Sequence, residues 1–158
     1  IDKALSWTFI LHRVAPGVAR IRIAGQNLHD VLRMDPRGMP ISAFFDADDR
    51  STLSVHVESV FSDPALIMIP LHRPAALLRP EVQGALLLMP LTDHLGEVTR
   101  AIGALVTDRS LGQRRRVQIN GHLPMRYEPL SMYSAKAPVK QKGPSDMRSA
   151  LRLVVNNG

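Results

Sequence analysis

The fold is decided by residues 7–25, which read WTFILHRVAPGVARIRIAG. Residues 7–14 are rich in aromatic and β-branched side chains, a composition typical of a strand. Residues 15–17 are Ala-Pro-Gly and have the chemistry of a tight turn. Residues 18–24 then resume the strand pattern, so the stretch predicts a β-hairpin.

The second strand of this hairpin alternates between apolar and charged residues. Because strand side chains alternate from face to face, we expect Ala19, Ile21 and Ile23 on one side. Arg20 and Arg22 then lie on the other side. One buried and one solvated face are typical of antiparallel sheets. We interpret the histidine and arginines of the hairpin as its solvated face and rim rather than as a catalytic set.

The composition is that of a globular protein with a core. The chain has 158 residues, of which 45% are hydrophobic and 22% charged, which suits one compact domain with an extension. It has no cysteine, which excludes disulfides, thiolate metal sites, cysteine nucleophiles and chromophores held through a thiol. The same absence favours a reducing cytoplasm. No apolar run approaches the roughly 20 residues that span a bilayer. Because the chain begins with Ile1, we expect a segment to precede it.

Two helices follow the hairpin. Apolar residues between 28 and 32 have the spacing of a short helix, which ends before Asp-Pro at 35–36. Four apolar residues between 53 and 61 form the stripe of a longer helix, with Asp46 as its expected N-cap. Asp-Pro at 63–64 ends it.

Three further strands are predicted at 65–71, 82–91 and 98–107. Residues 86–89 are continuously apolar, so we expect the middle strand to be central in the sheet, covered on both faces or at a partner's surface. Two strands, two helices and three strands in this order predict an α+β domain. Its helices would cross one face of an antiparallel sheet.

The charge divides the chain into two parts. Residues 1–112 carry 11 Lys and Arg against 12 Asp and Glu, whereas residues 113–158 carry 9 against 2. We therefore predict a neutral domain over 1–112 and a basic C-terminal extension over 113–158. Within the extension, residues 114–119 can form a further strand and residues 134–143 resemble a linker. The apolar spacing between 147 and 155 predicts a short amphipathic helix that docks on another surface.

Two stretches resemble a known family. Residues 7–45 and 86–106 resemble the PAS_5 (DUF1457) group of PAS-type sensory domains, found mainly in alphaproteobacteria. The resemblance covers roughly residues 5–108 and is carried by packing and turn residues. The matching positions are Arg22, Gly25, Leu28, Leu32 and Gly38.

The resemblance implies a five-stranded antiparallel sheet with helices on one face and often a second subunit against the other. It also implies a sensory or protein-interaction module of bacterial signal transduction, which can bind a small ligand between the sheet and the helices. The candidate pocket residues are Phe9, Ile21, Ile23, Leu28, Leu32, Leu53, His56 and Val57.

No catalytic or metal motif is evident. His56 is the best candidate for a haem ligand, but a histidine at the margin of an apolar stripe is more often a boundary residue. The other histidines lack the spacing of a zinc site, and neither a nucleophile elbow nor a phosphate-binding loop occurs. We therefore expect a non-enzymatic protein. The sequence identifies neither a ligand nor a downstream signalling partner.

Two kinds of partner remain open. The alternative function is nucleic-acid binding through a basic patch in the extension, although only Tyr127 and Tyr133 could stack on bases there. The patch residues are Arg114, Arg115, Arg116, Lys136, Lys140 and Lys142. The other expectation is a homodimer, favoured by the apolar run at 86–89 and the amphipathic C-terminal segment.

Overall fold

The computed structural model describes residues 2–131 of the chain. The helices are α1 (Asp2–Leu5), α2 (Gln26–Leu32) and α3 (Arg50–Ser62), and the 3-10 turns Ile41–Phe44 and Ala47–Asp49 precede α3. The strands are β1 (Thr8–Ala15), β2 (Val18–Ala24), β3 (Ala65–Arg73), β4 (Val82–Thr92), β5 (Val98–Thr107), β6 (Gln118–Ile119) and β7 (Arg126–Pro129). The predicted hairpin, the two helices and the three later strands are all present.

The strands form one antiparallel sheet in the order β2-β1-β5-β4-β3-β6, and β7 also pairs with β3. The five longer strands are those that the sequence predicts, and the α+β class is confirmed. β4 is central, as its apolar run indicates, and Leu86 and Leu88 on its inner side are fully buried. Its other side carries Leu87, which is half-buried, and Met89, which is exposed.

The hydrophobic core lies between the inner face of the sheet and the helices, with α3 packed across β2, β3, β4 and β5. Aromatic rings fill much of it, and those of Phe9, Phe44 and Phe45 are almost completely buried. The Phe9 ring lies over Gly103 of β5 so closely that a Cβ at Gly103 would overlap it. A glycine is therefore needed in the middle of this strand, as is common where two groups approach closely.

The expected alternation in β2 is interrupted. Ile21 is fully buried, but Ile23 is 63% exposed on the opposite side of the sheet. The cause is a β-bulge: Ile10 pairs with Ile23 and the next residue of β1, Leu11, pairs with Ile21, so Arg22 is the extra residue. The prediction that Ile23 shares the inner face with Ile21 is therefore wrong.

The predicted N-cap of the long helix is also wrong. α3 begins at Arg50, so Asp49 precedes it, and no side-chain capping bond is formed there. The carboxylate oxygens of Asp46 and Asp49 instead accept hydrogen bonds from Gln118 Nε2 and Ile119 N, both at 2.8 Å. These aspartates therefore fix a distant segment of the chain rather than the helix start.

The first part of the predicted basic extension is built into the same sheet. β6 and β7 both pair with β3, so the predicted strand at 114–119 is shorter than expected and excludes the arginines. Tyr127 of β7 donates a hydrogen bond to Asp63 Oδ2 at 2.6 Å, and this bond raises the pKa of the tyrosine above its ordinary 10.0. The predicted linker and amphipathic helix lie outside the described residues. Among residues 2–131 no helix is long and apolar enough to cross a membrane.

Candidate ligand cleft

The structure separates the eight predicted pocket residues into three groups. Five are buried in the hydrophobic core, two are half-buried, and Ile23 lies exposed on the opposite side of the sheet. The buried five are Phe9, Ile21, Leu28, Leu53 and Val57, and the half-buried two are Leu32 and His56. Most of the predicted pocket is thus occupied by its own side chains.

A small opening reaches the space between the sheet and the helices. It lies between the hairpin turn and α3, has a volume of about 160 Å³, and is lined in part by Ala19, Leu53 and Val57. Ligand pockets commonly have volumes of about 300–1,000 Å³, and a cavity of about 150 Å³ accepts a molecule the size of benzene. This opening is therefore too small for a haem or a flavin without rearrangement.

His56, the candidate haem ligand, does not line that opening. It lies on α3, and its backbone oxygen accepts a hydrogen bond from Ser59 Oγ at 2.7 Å. Within the described part of the chain, no three potential metal-ligating side chains come together.

A larger cleft of about 740 Å³ adjoins this opening, and the two share Pro40, Ser42 and Arg50 in their linings. Its lining combines apolar and cationic residues. The apolar residues are Leu32, Met34, Met39, Pro40 and Ala43, and the cationic residues are Arg50, Arg114, Arg115 and Arg116. The volume of this cleft falls within the ordinary range for a ligand pocket, so it is the stronger candidate site.

Three of the four arginines, residues 114–116, belong to a segment that we call the strap, residues 111–119. Its two apolar anchors, Leu111 and Val117, are each 1% exposed. Backbone hydrogen bonds hold it at both ends of the arginine triplet: Arg114 N donates to Val31 O at 2.6 Å, and Val117 N donates to Phe44 O at 2.9 Å. The first of these bonds satisfies a carbonyl in the last turn of α2, which would otherwise need another donor.

The side chains of the cleft arginines have no partner within the described part of the chain. Among residues 2–131, no hydrogen bond or ion pair involves the guanidinium groups of Arg50 or of residues 114–116. One carboxylate, that of Asp46, lines the cleft, and one of its oxygens is bonded to Gln118. Four cations and one anion therefore share a concave surface, which favours an anionic ligand.

The predicted basic patch is only partly placed by the structure. Residues 114–116 lie together in the cleft, whereas Lys136, Lys140 and Lys142 lie outside the described residues. None of the described residues that line the cleft is aromatic. The cleft therefore offers charge to a phosphate backbone but no platform on which bases could stack.

The other arginine-rich segment, the hairpin, is arranged differently. Arg13 donates two hydrogen bonds to the carboxylate of Glu58 on α3, at 3.1 and 2.5 Å, and Gly17 N donates a third at 2.7 Å. The hydrogen bond from Arg13 is the largest cause that holds the pKa of Glu58 below its ordinary 4.5. Sequence reasoning placed Arg13 on a solvated rim and missed this contact, because its partner is 45 residues away.

A comparison with known families identifies the fold. The model of the PAS_5 family, described as a PAS domain, matches residues 1–106. The chain belongs to the PAS_5 family. The resemblance found in the sequence is thus confirmed, and the order β2-β1-β5-β4-β3 is the sheet of this PAS domain. PAS domains are in general sensory modules of signalling proteins, so the match shows the general kind of module but no ligand or partner.

Comparison with solved structures gives a more distant similarity. The PAS domain is similar to an RNA-binding light-oxygen-voltage receptor, at 15% sequence identity and a TM-score of 0.45. The similarity covers 66% of this chain and 30% of that chain. No curated protein matches the chain.

Proposed function

We propose that this PAS domain is a non-enzymatic sensory and protein-interaction module of bacterial signal transduction, and that it acts as a homodimer. Family membership supports the general kind of module. The absence of cysteine and the bacterial distribution of the family support action in a bacterial cytoplasm. The observation that carries the dimer is the composition of the sheet surface that faces away from the helices.

This surface, which we call the outer face, has rows of apolar residues across neighbouring strands. One row runs from Ile23 through Ile10 and Ile102 to Met89, each paired with the next across β2, β1, β5 and β4. Paired residues lie on the same side of a sheet, so their side chains form a continuous surface.

A second apolar row, in register, consists of Ala104, Leu87 and Met68 on β5, β4 and β3. Beside it, Val106 is paired with Ala85 and is 56% exposed. An extended apolar surface on a folded domain commonly marks an interaction site.

A second copy of the chain fits this surface. Apolar rows without central charges are complementary to themselves, as the symmetric interface of a dimer requires. The charged groups of the outer face lie at its edges. Arg100 pairs with His12 and Arg22 also contacts His12 at one edge, and at the other edge Arg126 of β7 pairs with Met68 and forms an ion pair with Glu128. Burial of the apolar rows between two copies would remove them from water while leaving these charges at the rim, which is the usual arrangement of interfaces.

Analytical ultracentrifugation of the full chain at micromolar concentration tests the dimer. We expect a dimer for the unaltered chain and a monomer for Val106→Glu, because two copies of this charge would be buried against each other. Val55→Glu is the matched control: it is the same substitution at a residue 68% exposed on α3, and it should leave the dimer intact. A monomeric unaltered chain, or dissociation by both substitutions alike, would contradict the proposal.

The small opening beside Leu53 and Val57 is where we place the predicted ligand between sheet and helices. Its volume of about 160 Å³ limits such a ligand to roughly the size of one aromatic ring. Native mass spectrometry of the purified chain checks this expectation, and a retained ligand the size of a haem or flavin would contradict it. Nucleic-acid binding by the basic extension stays an alternative prediction.

A further inference from the structure

We propose that the cleft bounded by the strap binds a phosphorylated small molecule in which two or more phosphate charges are joined to a nonpolar group. The cleft is larger than the small opening beside Leu53 and Val57, which it adjoins at Arg50, and its arginine triplet does not line that opening. The site does not depend on the outer face or on a dimer. The inference rests on three features of the cleft: its unpaired charge, its apolar wall and the rigidity of the strap.

The positive charge of the cleft sets the minimum negative charge of the ligand. Four guanidinium groups line the cleft, and none has a partner among residues 2–131. The one carboxylate that lines the cleft among residues 2–131, that of Asp46, already accepts a hydrogen bond from Gln118. A guanidinium group donates in a planar fork that matches phosphate oxygens, so arginine is well suited to phosphate recognition. A ligand with a single negative charge would leave most of this cationic wall without a partner.

The apolar wall requires that the ligand also has a nonpolar part. Met34, which is 56% exposed, and Met39 face the same cleft as the arginines, together with Leu32 and Pro40. Methionine side chains are unbranched and polarizable and therefore adapt to apolar groups of different shapes. Inorganic phosphate alone would not cover this wall. The nonpolar part is either the aromatic face of a nucleobase or a hydrocarbon chain, and both kinds of ligand share the same phosphate chemistry.

The strap holds the arginine triplet in place before a ligand arrives. The backbone is fixed at the first residue of the triplet by the bond from Arg114 N to Val31 O and directly after the triplet by the bond from Val117 N to Phe44 O. A third bond, from Asp46 N to Val117 O at 3.0 Å, fixes the same point from the other side. Binding therefore orders side chains but not backbone, which lowers the entropic cost of association.

Isothermal titration calorimetry of the full chain tests the site. The probes are ATP, geranyl diphosphate, inorganic pyrophosphate and adenosine, at about 50 mM salt so that exposed charges are weakly screened. We expect ATP or geranyl diphosphate to bind about tenfold more tightly than pyrophosphate, because each of them also covers the apolar wall. Adenosine, which lacks phosphate, should bind at least about tenfold more weakly than ATP.

Paired variants assign the binding to the cleft. The double variant Arg115→Gln with Arg116→Gln should weaken the binding of ATP or geranyl diphosphate, whichever binds more tightly, by about tenfold or more. The matched control, Arg79→Gln with Arg109→Gln, removes the same charge at exposed positions outside the cleft, and it should change affinity by less than about twofold. Thermal unfolding of both variants shows that they are folded.

Three results would overturn the inference. The first is no heat of binding with any phosphate probe, and the second is equal weakening by the cleft and control variants. The third is that a mixed-sequence single-stranded oligonucleotide binds more tightly than ATP and geranyl diphosphate. It would also compete with them and be weakened by the same arginine substitutions. That result would assign the cleft to a nucleic acid instead.

Discussion

Two segments of this PAS domain each carry three arginines, and their surroundings differ. In the hairpin every arginine has an acceptor: Arg13 donates to Glu58, Arg20 donates to Gly38 O at 2.8 Å, and Arg22 donates to His12 Nδ1 at 3.3 Å. In the strap, no side chain among residues 114–116 has a partner within the described part of the chain. The first set stabilises the fold, and the second set is available to a ligand.

The difference shows that the number of arginines does not identify a site. Both segments look basic in the sequence, and the hairpin adds a histidine that suggests chemistry. What separates them is the path of the chain, which brings a carboxylate of α3 to Arg13 but places the strap beside methionines and a fourth arginine. A site is therefore indicated by cations that the fold leaves unpaired in a concave surface.

The largest expected effect concerns the anchor of the strap. Val117→Ala should lower the free energy of unfolding by about 2 kcal/mol, because it leaves a cavity where a side chain 1% exposed was packed. Val55→Ala, at an exposed position of α3, is the control and should cost almost nothing. Urea denaturation of both variants measures the difference. Equal costs would mean that Val117 does not anchor the strap in the core.

A smaller effect is expected at the hairpin clamp, by which we mean the hydrogen bonds of Glu58 with Arg13 and Gly17. Glu58→Gln should lower the free energy of unfolding at pH 7 by about 1 kcal/mol, because a half-exposed ion pair is worth little but its carboxylate also accepts a bond from Gly17 N. Glu97→Gln removes the same charge from an exposed turn and is the matched control. If both variants lose equal stability, the clamp contributes nothing specific.

The pH dependence of that difference follows from the lowered pKa of Glu58. Because the folded protein holds this carboxyl below its ordinary pKa of 4.5, the stabilisation is complete above pH 4.5. It is lost as the pH falls through the pKa of the folded state. The unfolding curves of the unaltered chain and Glu58→Gln should therefore converge in acid. A gap that stays constant below pH 4.5 would contradict the assignment.

Much of the fold follows from local patterns. The strands and helices appear where alternation, helical spacing and Asp-Pro stops indicate them. Gly103 lies in β5 at the point where the Phe9 ring approaches the strand closely. Ile23 shows the limit of this reasoning. A bulge at Arg22 turns the side chain of the next residue, Ile23, to the opposite face of the sheet. Nothing in an alternating sequence reveals where the strand pairing shifts by one residue.

The site was less predictable, for a physical reason. The sequence indicated the arginine triplet and Leu32 separately, as a basic patch and as a pocket residue, and the structure brings them into one cleft. Their proximity depends on backbone bonds such as that from Arg114 to Val31, which link residues 83 positions apart in the chain. Contacts of this kind leave no periodic signal, because periodicity reports which face is buried and not what lies opposite it.

The smallest expected effect on stability is that of Arg114→Gly. This variant also distinguishes most clearly between an arginine that stabilises the fold and one that binds a ligand. Arg114 has a φ of 52°, in the left-handed region that favours glycine. Arg114→Gly relieves this conformation but gives the unfolded chain more freedom, so the free energy of unfolding should change by less than about 0.5 kcal/mol. Arg116 is not among the residues with positive φ, so Arg116→Gly relieves no strain and only gives the unfolded chain more freedom. It should lower the free energy of unfolding by about 0.5–1 kcal/mol.

Both glycine substitutions should weaken binding of the phosphate probes, because each removes a guanidinium group from the cleft. Thermal unfolding and calorimetry on the same samples therefore separate the two effects. A residue retained for its charge should lose affinity without losing stability, which is the outcome we expect at Arg114. If Arg114→Gly instead destabilises the fold as much as Val117→Ala does, Arg114 resembles the arginines of the hairpin and serves the structure.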